Sequence, residues 1–236
     1  MISLFLNTSS RYLNIAILKD NKVINEKNLE LEKDLSALAL FEIEKLFKET
    51  QLKPNDIDEI YCVDGPGSFT GLRVGITIAK VYAWSLNKKL YKVSSLYTMA
   101  TSINNDYIIP LIDARRGYVF AGIYDKDYNQ VLKDQYISLE NLKNIVKNLE
   151  GQYTYVTLDD FDFQTQKYIP NLNNTFKYIE KEEVDPYTFI PNYLKKTETE
   201  EKLNNDTTNK WWIIIKTKYK RRKQSLYKLY RLFWKQ

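Results

Sequence analysis

The residues that could bind a phosphate lie in a short glycine-rich stretch, which holds Gly65, Gly67, Gly71 and Gly75, four of the seven glycines of the chain. The stretch follows an apolar run and opens into a helical pattern, and the N-terminus of a helix offers free backbone N–H groups to an anion. The spacing of the glycines matches neither the Walker A loop nor the dinucleotide-binding fingerprint. The simpler interpretation is a tight turn in which Gly65, Gly67 and Ser68 let the backbone pack closely.

Acid–base and metal chemistry is restricted by the absence of histidine, since the 236 residues contain none. Histidine-ligated metal sites, the Ser-His-Asp triad and the Cys-His dyad are therefore excluded for this chain acting alone. Cys62 is the single cysteine and lies in the apolar run IYCV, so no intrachain disulfide can form. We expect its thiol to pack as a small apolar side chain. Any proton transfer would depend on carboxylate, lysine or tyrosine side chains.

A charged turn, DARRG, places two arginines side by side at Arg115 and Arg116. In one interpretation both side chains face an anion or an RNA phosphate. In the other, which we favour, Asp113 accepts hydrogen bonds from the N–H groups of the turn and pairs with an arginine, while Gly117 relieves the backbone. Charged turns on protein surfaces usually have only this local role.

The charge of the chain is unevenly distributed. Residues 210–236 contain ten of the 35 Lys and Arg residues and none of the 30 Asp and Glu residues, so the preceding part carries a net charge of −5 although the whole chain carries +5. As a helix, this tail would be amphipathic and could bind an anionic membrane, a partner protein or RNA phosphates. Candidate RNA contacts are Lys220, Arg221, Arg222 and Lys223. The alternative is a poorly ordered extension, or a terminus altered by a shifted reading frame.

The elements that must position these residues alternate between strands and helices, which predicts an α/β protein. Three strands, a helix at 34–49, a strand over DEIYCVD, a helix at 70–86, a short strand and a serine-capped helix make a first βββαβαβα half. The pattern then partly restarts with the strands DYIIPLIDA and GYVFAGIYD, a third strand near Val131, a helix that begins after Ser138, and the strand YTYVTL. Beyond this strand the sequence is polar, punctuated by proline and less regular.

The repetition of this pattern predicts two lobes of a duplicated fold. We place the first at residues 1–103, a second and reduced lobe at 104–202, and a basic aromatic tail at 203–236. No apolar run is long enough to span a membrane, and the N-terminus lacks the features of a signal peptide. We therefore expect a cytoplasmic protein.

Two helices have more apolar surface than one buried face requires. In the 34–49 helix, Leu38 and Phe41 lie off the main apolar arc. The 70–86 helix is apolar nearly all round, apart from a narrow polar stripe made by Arg73, Thr77 and Lys80. Either both helices are buried within this chain, or each has a second face that another protein covers.

Three stretches together resemble a known family: GPGSFTGLRVGITIAKVYAWSL, IDARRGYVFAGIYD and PNYLKKTETEEK. They resemble the bacterial TsaB family, also called YeaZ, over residues 1 to about 202. The resemblance implies a two-lobed actin-like, hexokinase-like and Hsp70-like ATPase fold, with a mixed sheet and helices in each lobe. It also implies a non-catalytic subunit of the complex that installs the threonylcarbamoyl group on N6 of adenosine 37 in tRNAs reading codons that start with A.

The resemblance further implies which proteins this chain binds. The catalytic subunit would be TsaD, which carries two metal-binding histidines, and the ATPase TsaE would join the assembly. The free chain could form a homodimer, and tRNA would be contacted directly or through the complex. The resemblance places the TsaD contact on the two helices discussed above. Its candidate residues there are Leu38, Phe41, Lys45, Gly71, Val74, Gly75 and Ile78.

One position departs from the family pattern. Members commonly have Asp-Thr-Ser at the end of the first strand, where the ATPase fold places a carboxylate for a metal-bound nucleotide, whereas this chain has Asn7. An amide supplies no negative charge to a cation, which argues against hydrolysis of nucleotide by this chain alone. We therefore expect no cofactor of its own, and adenine nucleotide only at the joint with the partner. The rival function is a stand-alone enzyme of the sugar-kinase or ATPase type. The glycines would let the 70–86 helix lie close to the 34–49 helix and to partner helices.

Overall fold

The structure, a computed structural model, describes residues 1–30 and 35–195. The chain begins with an antiparallel meander of three strands and continues through alternating helices and strands. A short 3₁₀ turn precedes the fourth strand. The bounds of these elements are β1 Ile2–Asn7, β2 Tyr12–Lys19, β3 Lys22–Glu30, α1 Leu35–Thr50, β4 Glu59–Gly65, α2 Phe69–Leu86, β5 Lys89–Ser94 and α3 Ser95–Ala100.

The second half repeats the meander and then shortens. Its elements are β6 Tyr107–Asp113, β7 Tyr118–Asp125, β8 Gln130–Ser138, α4 Leu139–Val146, β9 Tyr153–Thr157, β10 Gln166–Lys167, α5 Leu172–Tyr178 and β11 Glu182–Val184. Two sheets result, in the strand orders β11-β5-β4-β1-β2-β3 and β10-β9-β6-β7-β8. Each sheet contains an antiparallel meander, and the first strand of the meander also pairs in parallel with a later strand. These parallel pairs are β1 with β4 and β6 with β9. The predicted duplication is therefore visible in the topology.

Helices cover both faces of the first sheet. On one face, α1 and α2 pack against Leu4, Leu13 and Ile60, and on the other Phe176 of α5 packs against Phe5. Because β4 lies inside this sandwich, all seven of its residues are buried, which explains its continuous apolar run. In the second sheet, α3 and α4 lie on opposite faces. No helix among the described residues is long and apolar enough to cross a membrane.

The predicted order of the first eight elements is confirmed, and the two long helices begin and end within a residue or two of their predicted bounds. Asp34, the predicted start of the first helix, lies outside the described residues. The region predicted to be irregular contains α5 and β11, and both return to the first sheet. The proposed lobe boundaries remain a prediction.

Candidate partner interface

The N-terminus of α2 is occupied by the turn that follows β1. The backbone N–H of Ser68 donates to the carbonyl oxygen of Ser9 at 2.7 Å. The side-chain oxygen of Ser68 in turn accepts from the backbone N–H of Gly71 at 3.2 Å, which caps the helix. The hydroxyl of Thr8 donates to the carbonyl oxygen of Gly71 at 2.8 Å. The N–H groups of Ser68 and Gly71 are therefore already bonded within the chain.

The glycines at this site leave no room for side chains. A Cβ atom at Gly67 would clash with the backbone of Ser9, one at Gly71 would clash with the carbonyl oxygen of Thr8, and one at Gly75 would clash with the Thr8 hydroxyl. The interpretation of the glycines as a close-packing device is thus confirmed. The further interpretation that they bring α2 close to α1 is wrong for Gly71 and Gly75, because their open side faces the turn after β1.

Gly65 belongs to a second close contact. Its φ of 135° favours glycine, and a Cβ there would lie 2.7 Å from the carbonyl oxygen of Asn192. The backbone N–H of Asn192 donates to the carbonyl oxygen of Asp64 at 2.8 Å. The PNYL stretch therefore packs on the glycine turn, although the two are far apart in the sequence.

Asn7 is buried, and its amide oxygen organises the turn after β1. This oxygen accepts a hydrogen bond from the backbone N–H of Ser9 at 3.0 Å and another from the Ser9 hydroxyl at 2.7 Å. An aspartate could accept both bonds equally well. Asn7 therefore differs from the aspartate of the family pattern in lacking a negative charge. The hydrogen bonds of the turn require only an oxygen acceptor, which both residues provide.

The side of α1 that bears Leu38, Phe41 and Lys45 is open to solvent. Leu38 is 37% exposed and Phe41 is 51% exposed. The ammonium group of Lys45 lies 4.3 Å from the centroid of the Phe41 ring and donates to a carboxylate oxygen of Glu42 at 2.8 Å. These three predicted partner residues thus form one patch, in which a lysine covers part of an aromatic ring.

The four predicted partner residues on α2 are less accessible. Gly71, Gly75 and Ile78 are buried inside the chain, and Val74 is partly buried. In this conformation the three buried residues can shape an interface through packing, but they cannot touch a partner.

The exposed face of α2 carries two large side chains that the sequence analysis missed. Val81 is 54% exposed and Trp84 is 64% exposed. They share this face with Arg73 and Thr77, which are also exposed. A signal for them existed: Arg73 and Thr77 mark the solvent side, and Val81 and Trp84 follow Thr77 at helical spacing. Four of the exposed apolar residues of the two helices, Leu38, Phe41, Val81 and Trp84, are called the α1–α2 face below.

Two members of the predicted polar stripe hold residues 187–193 against α2. The ammonium group of Lys80 donates to the carbonyl oxygens of Tyr187 and Phe189, at 3.4 and 3.1 Å. The Arg73 side chain donates through Nε to the Tyr193 hydroxyl at 3.1 Å, and its guanidinium carbon lies 3.7 Å from the centroid of the Phe69 ring. These polar positions therefore have partners within the chain.

The DARRG turn has the local structure that we favoured. A carboxylate oxygen of Asp113 accepts from the backbone N–H of Arg115 at 2.8 Å, and Arg115, Arg116 and Gly117 all have positive φ angles. The prediction that Asp113 pairs with an arginine is wrong, because its carboxylate forms no ion pair with Arg115 or Arg116 in the described part of the chain. Both arginines are exposed, and their contact with an anion or RNA remains a prediction. The other candidate RNA contacts, Lys220, Arg221, Arg222 and Lys223, lie outside the described residues.

A buried carboxyl group lies directly before the glycine turn. Burial raises the pKa of Asp64 to about 7, an effect that the Lys92 ammonium partly offsets and the carboxyl groups of Glu182 and Asp134 strengthen. Burial also raises the pKa of Asp134, whose carboxylate accepts hydrogen bonds from the Ser94 and Tyr124 hydroxyls at 2.5 and 2.6 Å. Ser94 ends a strand of the first sheet and Asp134 belongs to the second, so this bond links the two sheets.

Comparisons with known proteins identify relatives of this chain. A family model described as TsaD, tRNA N6-adenosine threonylcarbamoyltransferase, matches residues 30–169. The tRNA threonylcarbamoyladenosine biosynthesis protein TsaB of Bacillus subtilis is 31% identical over 223 residues, which cover 86% of this chain and 97% of that protein. The uncharacterized protein MG208 of Mycoplasma genitalium is 28% identical over 81% of this chain and 94% of its own length.

Solved structures show the same fold. YeaZ from Pseudomonas aeruginosa has a TM-score of 0.64 and 19% identity, over 82% of this chain and 99% of that one. A second Pseudomonas aeruginosa structure, described as similar to peptidase YEAZ, has a TM-score of 0.65 and 18% identity over the same shares. The predicted two-lobed fold of the actin-like ATPase class is therefore confirmed. From the similarity to the Bacillus subtilis protein over nearly all of its length, we conclude that the chain belongs to the TsaB family.

Proposed function

We propose that this chain is a non-catalytic subunit of the complex that adds the threonylcarbamoyl group to N6 of adenosine 37 in tRNAs reading codons that start with A. Its role there is to bind and support the catalytic subunit TsaD. The relative in Bacillus subtilis is named for threonylcarbamoyladenosine biosynthesis, which supports the pathway. The sequence contains no histidine, so the chain cannot supply the two metal-binding histidines expected of TsaD.

The observation that carries the supporting role is the α1–α2 face. Its four large apolar side chains are exposed on two helices that pack against the same face of the first sheet. Large apolar side chains exposed on a soluble protein can form a binding site for another protein. Phe41 and Trp84 are also aromatic side chains of the kind that dominate the binding energy of interfaces. We assign this face to TsaD.

The same face would serve a homodimer when TsaD is absent, because an apolar patch can bury itself against its own copy. TsaE and tRNA complete the proposed assembly, and we expect adenine nucleotide only at the joint with TsaD. We place this assembly in the cytoplasm, as the sequence led us to expect.

The rival function, a stand-alone ATPase or sugar kinase, has less support. Two N–H groups at the start of α2 are bonded to Ser9 and to Ser68, and the glycines of the turn accommodate Thr8 and Ser9. Asn7 supplies an amide at the position where a carboxylate is expected for a metal-bound nucleotide. Both features favour a binding role over catalysis.

The proposal is tested by co-expressing the chain with TsaD from the same organism and measuring the mass of the purified complex. Threonylcarbamoyladenosine is then measured in reactions that contain TsaE, tRNA, ATP and the threonylcarbamoyl donor. We expect a stable complex and modification only when both subunits are present. Modification by this chain without TsaD would overturn the non-catalytic assignment, and full activity of TsaD without this chain would overturn the supporting role.

A further inference from the structure

A cleft lies in the described part of the chain, and none of its lining residues belongs to α1 or α2. Its volume is about 370 Å³, within the range of sites that hold small organic ligands. Three segments that are distant in the sequence form it: residues 92–97 at the end of β5 and the start of α3, residues 124–130 around the β7–β8 turn, and residues 178–182 between α5 and β11. The cleft is therefore formed by the tertiary fold.

Tyrosine rings make up much of the lining. Four tyrosine rings line the cleft, and three of their hydroxyls donate hydrogen bonds within the protein. The Tyr124 hydroxyl donates to Asp134 at 2.6 Å, the Tyr128 hydroxyl to the Asn104 side chain at 2.5 Å, and the Tyr97 hydroxyl to a backbone carbonyl at 3.5 Å. Tyr178 packs edge-to-face on Tyr128, with ring centroids 5.1 Å apart. The four rings are Tyr97, Tyr124, Tyr128 and Tyr178. Because these contacts fix the rings, a ligand would meet a preformed wall.

The charges of the lining are predominantly negative. Its one cation, the ammonium group of Lys92, lies 2.5 Å from a carboxylate oxygen of Glu182 and is neutralised by it. Asp127 and Glu180 also line the cleft, are exposed, and form no ion pair with any described residue. The field of Glu180 reaches the rings, since this carboxylate contributes to the raised pKa of Tyr97.

These two properties select a class of ligand. Aromatic faces attract cations, and carboxylates beside them add a direct charge interaction. The Tyr178 ring already has such a partner, since the ammonium group of Lys177 lies 4.8 Å from its centroid. An anionic ligand such as a free nucleotide would be repelled by the two unpaired carboxylates. A small organic amine meets both requirements.

We propose that this cleft binds a cationic amine, with the ammonium group against the tyrosine rings and Asp127 and Glu180 supplying the countercharge. The source could be a free polyamine or a lysine side chain of another protein, since both present a primary ammonium group on an alkyl chain. The proposal is independent of the function proposed above, because it involves neither TsaD nor the α1–α2 face.

The experiment follows the backbone amide resonances of the full chain by NMR during titration, at physiological salt. The probes are spermidine for the polyamine, N-acetyl-lysinamide for the peptide lysine, and acetate as an anion. We expect both amines to shift the resonances of Asn129, Gln130 and Ile179, and acetate to leave them unchanged. A stronger response to spermidine would favour the polyamine as the source, and an equal response per ammonium group would favour the lysine side chain.

The variant Asp127→Asn with Glu180→Gln should weaken amine binding about tenfold. The matched control is Asp160→Asn with Asp162→Asn, which removes the same charge from exposed positions that do not line the cleft. A second variant, Tyr178→Leu, removes an exposed ring without changing charge and should also weaken binding. Equal losses in the two charge variants would show that the amine binds only to the general negative field. Absence of shifts at the cleft with either amine would also overturn the proposal.

Discussion

The hydroxyl of Thr8 bonds to the carbonyl oxygen of Gly71 at 2.8 Å, and its oxygen also occupies the space that a side chain at Gly75 would need. One threonine thus fixes the position of the turn after β1 against two successive turns of α2. This contact explains why a helix of 18 residues tolerates two glycines, each of which lowers helix propensity by about 1 kcal/mol relative to alanine.

Gly75→Ala should therefore destabilise the fold, although alanine is the better helix former. We expect a loss of about 1–3 kcal/mol in the free energy of unfolding, the usual cost of overpacking a tight contact. Urea denaturation measures the loss, with Thr77→Ala on the exposed side of the same helix as the control. Adding Thr8→Ala to Gly75→Ala removes the obstructing hydroxyl and should restore part of the stability. An unchanged unfolding midpoint in Gly75→Ala would contradict the close contact.

Phe41→Asp should abolish association with TsaD and leave the isolated chain folded, because about half of the ring is already exposed. Replacing an aromatic anchor at the centre of an interface typically costs 2 kcal/mol or more, or a factor of about 30 in affinity. Leu40→Asp is the matched control, since Leu40 is 52% exposed on the same helix and lies outside the Leu38–Phe41–Lys45 patch. Circular dichroism checks the fold and calorimetry measures binding. Normal TsaD affinity in a folded Phe41→Asp chain would place the interface elsewhere.

Trp84→Ser tests whether α2 contributes to the same surface. Trp84 is the most exposed large side chain of the α1–α2 face, so we expect its removal to weaken TsaD binding at least tenfold while the melting temperature stays nearly constant. A reduced dimer fraction of the free chain in analytical ultracentrifugation would show that the homodimer uses this face too. If binding is unaffected while Phe41→Asp disrupts it, the interface is confined to α1.

Much of this arrangement follows from sequence patterns, and the exceptions have physical causes. The apolar run around Cys62 indicated a strand buried on both faces, and the helical periodicity located α1 and α2. Helix α5 was missed because it covers the other face of the first sheet with a short, polar stretch in which Leu172 and Phe176 supply the buried contacts. The position of Thr8 against Gly71 depends on a contact across 63 residues, which no local pattern encodes.

Because the pKa of Asp64 is raised, we expect the free energy of unfolding to decrease as the pH increases. A carboxyl group with a pKa of about 7 in the folded chain and 3.8 in the unfolded chain binds more protons when folded at pH values between the two. Unfolding then releases a proton, so the free energy of unfolding decreases through this window, with a slope of up to about 1.4 kcal/mol per pH unit. We expect Asp64→Asn to remove this component and to be more stable than wild type at pH 8. Because other groups also titrate in this range, Asp160→Asn provides the reference. Identical profiles of unfolding free energy against pH for Asp64→Asn and wild type would contradict the raised pKa of Asp64.

Deletion of residues 210–236 should leave TsaD binding intact and remove most of the direct affinity for tRNA. This segment holds ten Lys and Arg residues and no Asp or Glu, while the rest of the chain carries a net charge of −5. Each phosphate neutralised on a single strand changes the slope of log affinity against log salt by about −0.7, so five engaged cations would give roughly −3.5. Fluorescence anisotropy with labelled tRNA over a range of salt concentrations measures both quantities. The control chain replaces the ten basic residues by glutamine, which keeps the length and removes the charge. It should behave like the deletion, whereas equal affinity and equal salt slope in the full-length and deleted chains would show that tRNA does not engage this segment.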